Sequence, residues 1–382
     1  MVASMAAYRA WLFVGPDPGN DRPSLAVTAR ACGVFAVSRI KPVFPCLLAA
    51  LLVVACTASP PAATPQDAAS ASQRGDVTVI QPLRRMAEQG DASAEALLGG
   101  MYEEGAGVPQ SYAEAANWYR EAAAQGSVLA QSSLGSLYYQ GQGVPQDYRE
   151  AAKWYREAAE KGDANAQDGL GILYEDGQGV PQDYGKAATW YREAAAQGDA
   201  IAQLSLGDMY NYGQGVPQDY GKAAKWYRKA AEQGDALAQC GLGILYDNGQ
   251  GVPQDYGKAA KWYREAAAQG NAKAETRLGL LYENGQGVPQ HYGEAVKLFR
   301  KSAEQGDAFG QTLLGGMYDL GEGVPQDYVQ ADMWFILAAA AQSPGSLEAS
   351  QQRDLLAAIM TPGQIAEAQR RAAAWRPTAA AK

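Results

Sequence analysis

Histidine and cysteine are scarce in this 382-residue chain, which contains one histidine and four cysteines. Cys32, Cys46 and Cys56 precede the repeated part of the sequence, so Cys240 has no partner for an intramolecular disulfide within that part. Metal sites built from histidine and cysteine need several such ligands together, and the sequence has no cluster of them. We therefore expect neither a metal site nor a cofactor.

Signatures of catalysis are missing as well. The sequence contains no GxSxG motif, no Walker loop and no dinucleotide-binding fingerprint, because its GxG pairs follow helical segments rather than strands. His291 occupies a position held by aspartate in most repeats, where we expect it to cap a helix. Cys240 is expected to be a small filler or a surface residue, since no histidine lies near it in sequence to activate a thiolate. The sequence thus predicts a protein that is not an enzyme.

Basic side chains are outnumbered by acidic ones. Lysine and arginine total 32 residues against 41 aspartates and glutamates, which gives a formal net charge of −9. Proteins that bind nucleic acid backbones carry an excess of positive charge on at least one face. The composition therefore argues against DNA or RNA as the partner.

Glycine is abundant, at 43 residues, and much of it lies in one repeated segment. The segment Gly-x-Gly-Val-Pro-Gln occurs seven times, and its proline recurs every 36 residues without insertion or deletion. The seven prolines are Pro109, Pro145, Pro181, Pro217, Pro253, Pro289 and Pro325. A fixed period of this length indicates a solenoid of stacked supersecondary units.

The third repeat, residues 163–198, predicts two helices. Asp163 is a suitable N-cap for the first helix, and Gly177 and Gly179 can adopt the positive φ that ends it. Asp183 then caps a second helix, which Gly198 ends. Apolar residues recur at helical spacing in both segments, so the unit is helix–loop–helix.

The repeats share the pattern A-x-x-x-L-G-x-x-Y-x-x-G-x-G-V-x-x-D-x-x-x-A-x-x-W-Y-x-x-A-A-x-x-G over residues 91–341. This pattern resembles the SEL-one-like repeat, a relative of the tetratricopeptide repeat. The resemblance implies an all-α fold, a right-handed α/α superhelical solenoid of seven 36-residue repeats. It also implies a scaffold or adaptor role in protein–protein contacts. Repeat six departs from the pattern at Leu298 and Phe299, and repeat seven at Gly310 and Phe335, all apolar or small replacements.

Capping helices are expected at both ends of the repeats. Residues 78–90 read as the second helix of an incomplete repeat that caps the N-terminal end. Residues 342–382 contain two further helical segments, and Thr361 and Pro362 are a natural N-cap and first residue for the last of them. We expect that last helix to cover the apolar end of the stack, as terminal repeats must.

The N-terminal residues are of a different kind. An apolar run from Val43 to Ala55 follows Arg39 and Lys41, and its length suits a signal peptide better than a membrane span. The run ends in Val-Val-Ala-Cys, which resembles a bacterial lipobox and implies lipidation of Cys56. We therefore expect a lipoprotein-type signal peptide at 39–56 and a disordered tether at 57–77, rich in alanine, serine, threonine and proline.

Two questions about this region stay open. Residues 1–38 either result from a start codon assigned too far upstream or form a genuine extension. Thr57 stands where many such lipoproteins carry an aspartate that retains them in the inner membrane. Its presence slightly favours the outer membrane for an exported, periplasm-facing lipoprotein that is attached by its lipid anchor only.

Two rows of large residues recur in the second helices. The first row is Arg120, Arg156, Arg192, Arg228, Arg264 and Arg300, and the second is Trp118, Trp154, Trp190, Trp226, Trp262 and Trp334. We expect the arginines to pair with carboxylates of the next repeat, the alternative being contact with an acidic partner. We expect the tryptophans to form the core between repeats, the alternative being a platform on which carbohydrates stack.

The first helices combine a nearly constant stripe with one that varies between repeats. The varying rows begin at Ala96, Gly100 and Glu103. Because first helices of such solenoids line the concave, partner-binding side, we place candidate contact residues away from the constant stripe. The candidates are Tyr139, Ile172, Glu175, Asp208, Tyr212 and Ile244. Neutral drift on a solvent-facing surface is the alternative. Because neither residue lies on the constant packing stripe, we expect the substitutions Ile172→Asp and Ile244→Asp to leave the fold intact.

These observations favour a non-catalytic scaffold or adaptor of the bacterial cell envelope that binds a protein or peptide on the concave face. One alternative is an envelope hydrolase or cell-wall-acting enzyme built on the repeats, and another is a purely structural repeat protein. A hydrolase would need a nucleophile and a base, and the varying stripe supplies carboxylates without such a pair.

Overall fold

The computed structural model describes residues 77–341 and 346–378, and every regular element in these ranges is an α-helix. We number the helices α1–α17 in chain order. They are α1 Val77–Glu88, α2 Ala92–Glu104, α3 Tyr112–Ala124, α4 Val128–Gln140, α5 Tyr148–Ala159, α6 Ala164–Asp176, α7 Tyr184–Ala196, α8 Ala200–Tyr212, α9 Tyr220–Glu232, α10 Ala236–Asn248, α11 Tyr256–Ala268, α12 Ala272–Asn284, α13 Tyr292–Glu304, α14 Ala308–Leu320, α15 Tyr328–Ala340, α16 Ser346–Ala357 and α17 Pro362–Ala374. The signal-peptide region with Cys56 lies outside the described residues.

The helices fall into two compact units, which divide between Gln218 and Asp219. Within each unit, consecutive helices pack against each other in sequence order, with the even-numbered helices α2–α14 as first helices and the odd-numbered helices α3–α15 as second helices. The all-α repeat fold predicted from the sequence is confirmed.

Side-chain caps and glycines set the helix ends, as the sequence predicts. In α6, an Asp163 carboxylate oxygen accepts from the backbone N–H of Ala166 at 2.7 Å, and Gly177 ends the helix with a φ of 69°. Gly179 also has a positive φ, and a Cβ there would lie 2.2 Å from the backbone oxygen of Tyr148. The loop of one repeat therefore packs on the start of the preceding second helix, where only glycine fits.

The core between helices is built from tyrosine rather than tryptophan. The largest fully buried side chains include Tyr119, Tyr155, Tyr191, Tyr263, Phe299 and Phe335, which all occupy the same repeat position. The tryptophan one residue earlier is only half-buried, as at Trp154 and Trp190. The prediction that the tryptophans form the core is therefore wrong for most of the row. Trp334 is the exception, buried to 7% exposure with the ring of Trp375 at 6.1 Å.

Glycines make room for these rings. The Tyr155 ring lies between α4 and α6, where a Cβ on Gly135 would be 2.6 Å from it and a Cβ on Gly169 would be 2.8 Å from it. The ring thus spaces the backbones of two successive first helices. The two helices can approach the ring this closely because each has a glycine, which has no side chain, where it faces the ring.

Both ends of the described repeats carry extra helices. Ile80, Leu83 and Ala87 of α1 join residues of α2 in one apolar cluster. At the other end, Thr361 and Gln364 form a capping box at the start of α17. Both predicted C-terminal helices are present. Ile365 of α17 packs against the cluster of Ala331, Phe335, Leu356 and Met360, and Ala368 and Ala372 join the cluster that contains Phe299 and Trp334.

Candidate partner-binding surface

The varying rows of the first helices are largely buried, contrary to the expectation of an accessible stripe. Every member of the row that begins at Ala96 is buried, including Asp168, Leu204 and Cys240. Members of this row contact different neighbours. Ser132 Oγ donates to the Asp163 carboxylate at 2.8 Å, and its counterpart Thr276 donates to Ser302 Oγ at 2.7 Å. Variation in this row therefore reflects packing between repeats.

Half of the six candidate contact residues are buried. Tyr139 is 8% exposed, Ile172 is 5% exposed and Glu175 is 7% exposed, whereas Asp208 and Ile244 are half-buried. The expectation that Ile172→Asp leaves the fold intact is therefore wrong, because an unpaired carboxylate would be placed in the core. Tyr212 is the one candidate that is exposed, with 56% of its surface accessible.

Glu175 belongs to a set of carboxylates that hold the buried tyrosines. Its Oε2 accepts from the hydroxyl of Tyr191 at 2.5 Å. In the same way Glu103 accepts from Tyr119 at 2.6 Å, and Asp247 accepts from Tyr263 at 3.0 Å. Burial raises the pKa values of Glu103 and Asp247 above their ordinary values. Their hydrogen bonds to tyrosine lie within one repeat, and Asp247 also lies 4.0 Å from the guanidinium of Arg277 in the next repeat. These carboxylates are therefore poorly placed to orient a basic segment of a partner.

The arginine row pairs with tyrosine hydroxyls instead of the carboxylates expected from the sequence. Arg228 donates to Tyr246 at 3.0 Å and Arg300 donates to Tyr318 at 2.9 Å, each across to the first helix of the next repeat. Arg84 of α1 makes the same bond to Tyr102. The acceptor is the tyrosine at the end of the repeated pattern A-x-x-x-L-G-x-x-Y, so the arginine row joins neighbouring repeats.

A ladder of glutamines provides a second link between repeats. Gln167 Nε2 donates to the carbonyl of Ala159 at 3.2 Å, and its Oε1 accepts from Gln197 at 2.8 Å. Gln239 and Gln269 repeat the second bond at 2.9 Å. These bonds satisfy the last carbonyls of a second helix, which have no partner within that helix.

Glu275 replaces glutamine in this ladder and carries a perturbed carboxyl group. Its side chain is buried and accepts from Gln305 Nε2 at 2.8 Å. Burial raises the pKa of Glu275 to about 7, although the charge of Lys301 and the hydrogen bond from Gln305 oppose the shift. Between pH 4.5 and about 7, the Glu275 carboxyl is therefore protonated in the folded protein and ionised in the unfolded chain.

Glu275→Gln is expected to stabilise the protein at pH 8 by on the order of 1–3 kcal/mol and to have little effect at pH 4. The folded pKa is raised, so stability falls as the pH rises from 4.5 to about 7, and the full cost of ionisation is present above that window. Glutamine can make the bond to Gln305 that Gln239 makes to Gln269. Urea midpoints of both proteins at the two pH values would measure the difference. Glu160→Gln, at an exposed position, is the control, and an equal gain at both pH values would contradict the assignment.

The exposed residues that differ most between repeats lie at the ends of the first helices. The last residue before the C-cap glycine is Glu104, Gln140, Asp176, Tyr212, Asn248, Asn284 or Leu320. All but Gln140 are exposed, and the row differs in charge, size and polarity from repeat to repeat. Leu237, near the start of α10, is also 52% exposed, and sequence reasoning missed both it and Leu320. The sequence did carry a signal for this row, because its residues differ between repeats while the helix-ending glycine directly after them is the same in every repeat.

The described residues offer no arrangement that suggests catalysis. No group of three or more histidine, cysteine, aspartate or glutamate residues within residues 77–341 and 346–378 could hold a metal ion. Cys240 is buried, and burial raises the pKa of its thiol. His291 caps α13, where its Nδ1 accepts from the backbone N–H of Glu294 at 3.1 Å. Among the helices described, none has the length and apolar content needed to cross a bilayer.

Comparison with known proteins agrees with this architecture. The Sel1 repeat matches the chain at residues 92–127, 128–163, 164–199, 200–235, 236–271, 272–307 and 308–343. A solved Sel1 repeat protein from Oxalobacter formigenes is 34% identical, with 80% of this chain and 89% of that chain covered and a TM-score of 0.57. A protective antigen present in uropathogenic Escherichia coli strains, which displays an SLR fold, is 33% identical over 81% of this chain and 79% of that chain, with a TM-score of 0.39. No curated protein matches the chain. Since the repeat matches occupy more than half of its residues, the chain belongs to the Sel1 repeat family, whose members are repeat scaffolds.

Proposed function

We propose that this protein is a non-catalytic adaptor of the bacterial cell envelope, anchored by a lipid on Cys56, that binds a protein or peptide partner. The observation that carries the proposal is the contrast within the first helices. Their constant buried stripe and the hydrogen bonds between helices recur from repeat to repeat, whereas their exposed ends differ in charge, size and polarity. A surface that varies on a rigid repeated frame is what a partner can recognise.

Tyr212 is the aromatic member of this exposed row and lies in the unit that ends at Gln218. Tyrosine is enriched at the energetic centres of interfaces because it presents a large, rigid, amphipathic side chain. Asp176, at the same repeat position in α6, is also exposed. Residues 77–218 contain 19 acidic and nine basic side chains, a net charge of −10. An apolar anchor within an acidic unit suits a partner segment that combines an aromatic or aliphatic residue with basic ones.

Site-specific photo-crosslinking in the envelope tests the proposal. A photoreactive amino acid at position 212 is expected to give an adduct of one discrete mass in cells of the bacterium that carries the gene. The matched control is position 189, since Thr189 is exposed on second helix α7 of the same unit. An adduct from position 189 alone, or none from position 212, would refute binding at the first-helix ends.

Tyr212→Ala is expected to weaken binding of the partner identified in this way by at least about tenfold, which corresponds to 1.4 kcal/mol. The fold should be unaffected because the side chain is 56% exposed. Binding isotherms together with circular dichroism would separate loss of contact from loss of structure. Unchanged affinity of a folded variant would remove Tyr212 from the site.

The anchor is supported by the lipobox-like sequence that ends at Cys56 and by the apolar run before it. Mass spectrometry of the protein purified from the envelope should show an N-terminal acylated cysteine at that position. Detection of an intact Met1 terminus in the mature protein would refute the lipoprotein assignment, while the interaction surface would be unaffected by that result.

A further inference from the structure

Asp332 is a buried carboxylic acid at a repeat position that otherwise holds small apolar residues. It lies in α15 and is 2% exposed. The equivalent residues of the other six repeats are Ala116, Ala152, Ala188, Ala224, Ala260 and Val296, all of them buried. Because the rest of the row is apolar, the repeat fold itself does not require an acid here.

The acid lies where α15 meets α16. Ala331, directly before Asp332, and Phe335, one turn after it, belong to the apolar cluster that contains Leu356 and Met360 at the end of α16. Oδ1 of Asp332 is buried and has no hydrogen-bond donor among the described residues. The packing of α16 therefore encloses a polar oxygen without giving it a partner.

Other buried carboxylates of the repeats are placed differently. Glu103 accepts from the hydroxyl of Tyr119 at 2.6 Å, and Glu175 accepts from that of Tyr191 at 2.5 Å. An ionised carboxylate that is buried without such a donor is costly, whereas its protonated form carries no charge. Burial accordingly raises the pKa of Asp332 above its ordinary value of 3.8.

The charged groups around Asp332 do not remove this cost. Arg353 of α16 opposes the pKa shift, but its guanidinium forms its ion pair with Asp354, at 3.1 Å. Glu348, the remaining ionisable residue of α16, also has its pKa raised by burial. The ionisable side chains within the other two helices that pack on α15 are Asp319 of α14 and Glu367, Arg370 and Arg371 of α17. Both of these arginines pair with Glu367.

Helix α16 is held by few buried side chains. Ala349 and Leu356 are the two buried residues among its 12, whereas the first helix α6 buries nine of 13. Leu347 and Leu355 are exposed, at 74% and 57%. An element with so little buried surface opens at a lower free-energy cost than the helices inside the stack.

We propose that Asp332 makes the docking of α16 on α15 sensitive to pH, with α16 held more firmly in acid and opening more often when Asp332 is ionised. Opening of α16 exposes the carboxyl to water, which returns its pKa toward 3.8. The docked state has the raised pKa, so the cost of ionisation is absent below 3.8 and is complete once the pH exceeds the raised value.

Hydrogen exchange of the full chain, measured by mass spectrometry and corrected for the intrinsic effect of pH, tests this inference. Peptides from α16 should be at least about threefold better protected at pH 4 than at pH 7. Asp332→Asn keeps the shape of the side chain and removes its charge, so protection should no longer depend on pH. Asp332→Ala, which restores the residue of most other repeats, should have the same effect.

Glu348→Gln is the matched control, because it removes one carboxylate from α16 itself and should leave the pH dependence in place. Peptides from α10, in the same unit of the chain, report any general effect of pH. Equal protection of α16 at the two pH values in the parent protein would overturn the proposal. A pH dependence that survives in both Asp332 variants, or that Glu348→Gln abolishes, would overturn it as well.

Discussion

Replacing Tyr155 by alanine is expected to destabilise the protein by about 3–5 kcal/mol, well above the effect of the same change at its neighbour Trp154. Tyr155 is fully buried, and its ring fills the space between Gly135 and Gly169 on two first helices. No other side chain can fill the cavity, because both facing residues are glycines. The loss should extend to the neighbouring repeats, whose stability depends on this contact.

Trp154→Ala should cost on the order of 1–2 kcal/mol, since the indole is half-buried and Lys153 packs over its open face at 4.6 Å. Urea or thermal unfolding of the two variants measures both effects on the same helix. Equal destabilisation by both substitutions, or a larger effect at Trp154, would show that the tryptophan row carries the core after all.

Gly315→Ala and Gly316→Ala are expected to change stability in opposite directions, although the two glycines are adjacent in α14. A Cβ on Gly315 would lie 2.7 Å from the ring of Phe335, which is itself buried to 2% exposure and cannot move aside. We expect a loss of about 2–3 kcal/mol from this overlap. A Cβ on Gly316 would have no heavy atom within 4 Å, so alanine should stabilise the helix by up to about 1 kcal/mol.

The pair is its own control, because both substitutions add one methyl group to the same turn of one helix. Chemical unfolding of the two variants beside the parent protein would give the two signs. Destabilisation by both substitutions would mean that Gly316, like Gly315, faces a closely packed neighbour, which the structure does not show.

Helix boundaries could be predicted from the sequence, because each is set by a residue with a local role. Asp163 accepts from backbone N–H groups wherever it stands before a helix, and Gly177 adopts positive φ more readily than other residues. Such signals depend on the nearest few residues alone. These cap residues recur in all seven repeats, so the length of the repeat and the presence of two helices in each could be predicted from them.

The choice between tryptophan and tyrosine as the core residue could not be made in this way. The two are adjacent, as in Trp154 and Tyr155, and helical periodicity places them about 100° apart on one helix. Which of two large aromatic residues faces inward depends on the glycines of the two first helices that meet there. Those glycines come from segments of the chain that only the folded structure brings together.

Exposure of the candidate site was misjudged for a related reason. Variation between copies suggests freedom from contacts, yet Ser132 and Thr276 occupy a varying position while each donates a hydrogen bond to a neighbouring segment. Tyr212, at the end of α8, is the one of the six candidates that is exposed. The path of α17 and of the residues after it gave no local signal. The packing of Ala368 in the cluster of Trp334 and the bond from Thr378 to the Glu304 carbonyl both depend on tertiary structure.

The links between repeats have a further consequence for how such a chain can evolve. Arginine reaches tyrosine 18 residues ahead, and glutamine reaches a backbone carbonyl eight residues back, so each of these bonds joins a repeat only to its neighbour. Unequal recombination that deletes or duplicates 36 codons would rejoin the same donors to equivalent acceptors. Copy number is therefore the feature of this protein that can change with the least disturbance to its interior, and each added copy brings one more exposed helix end with its own side chain.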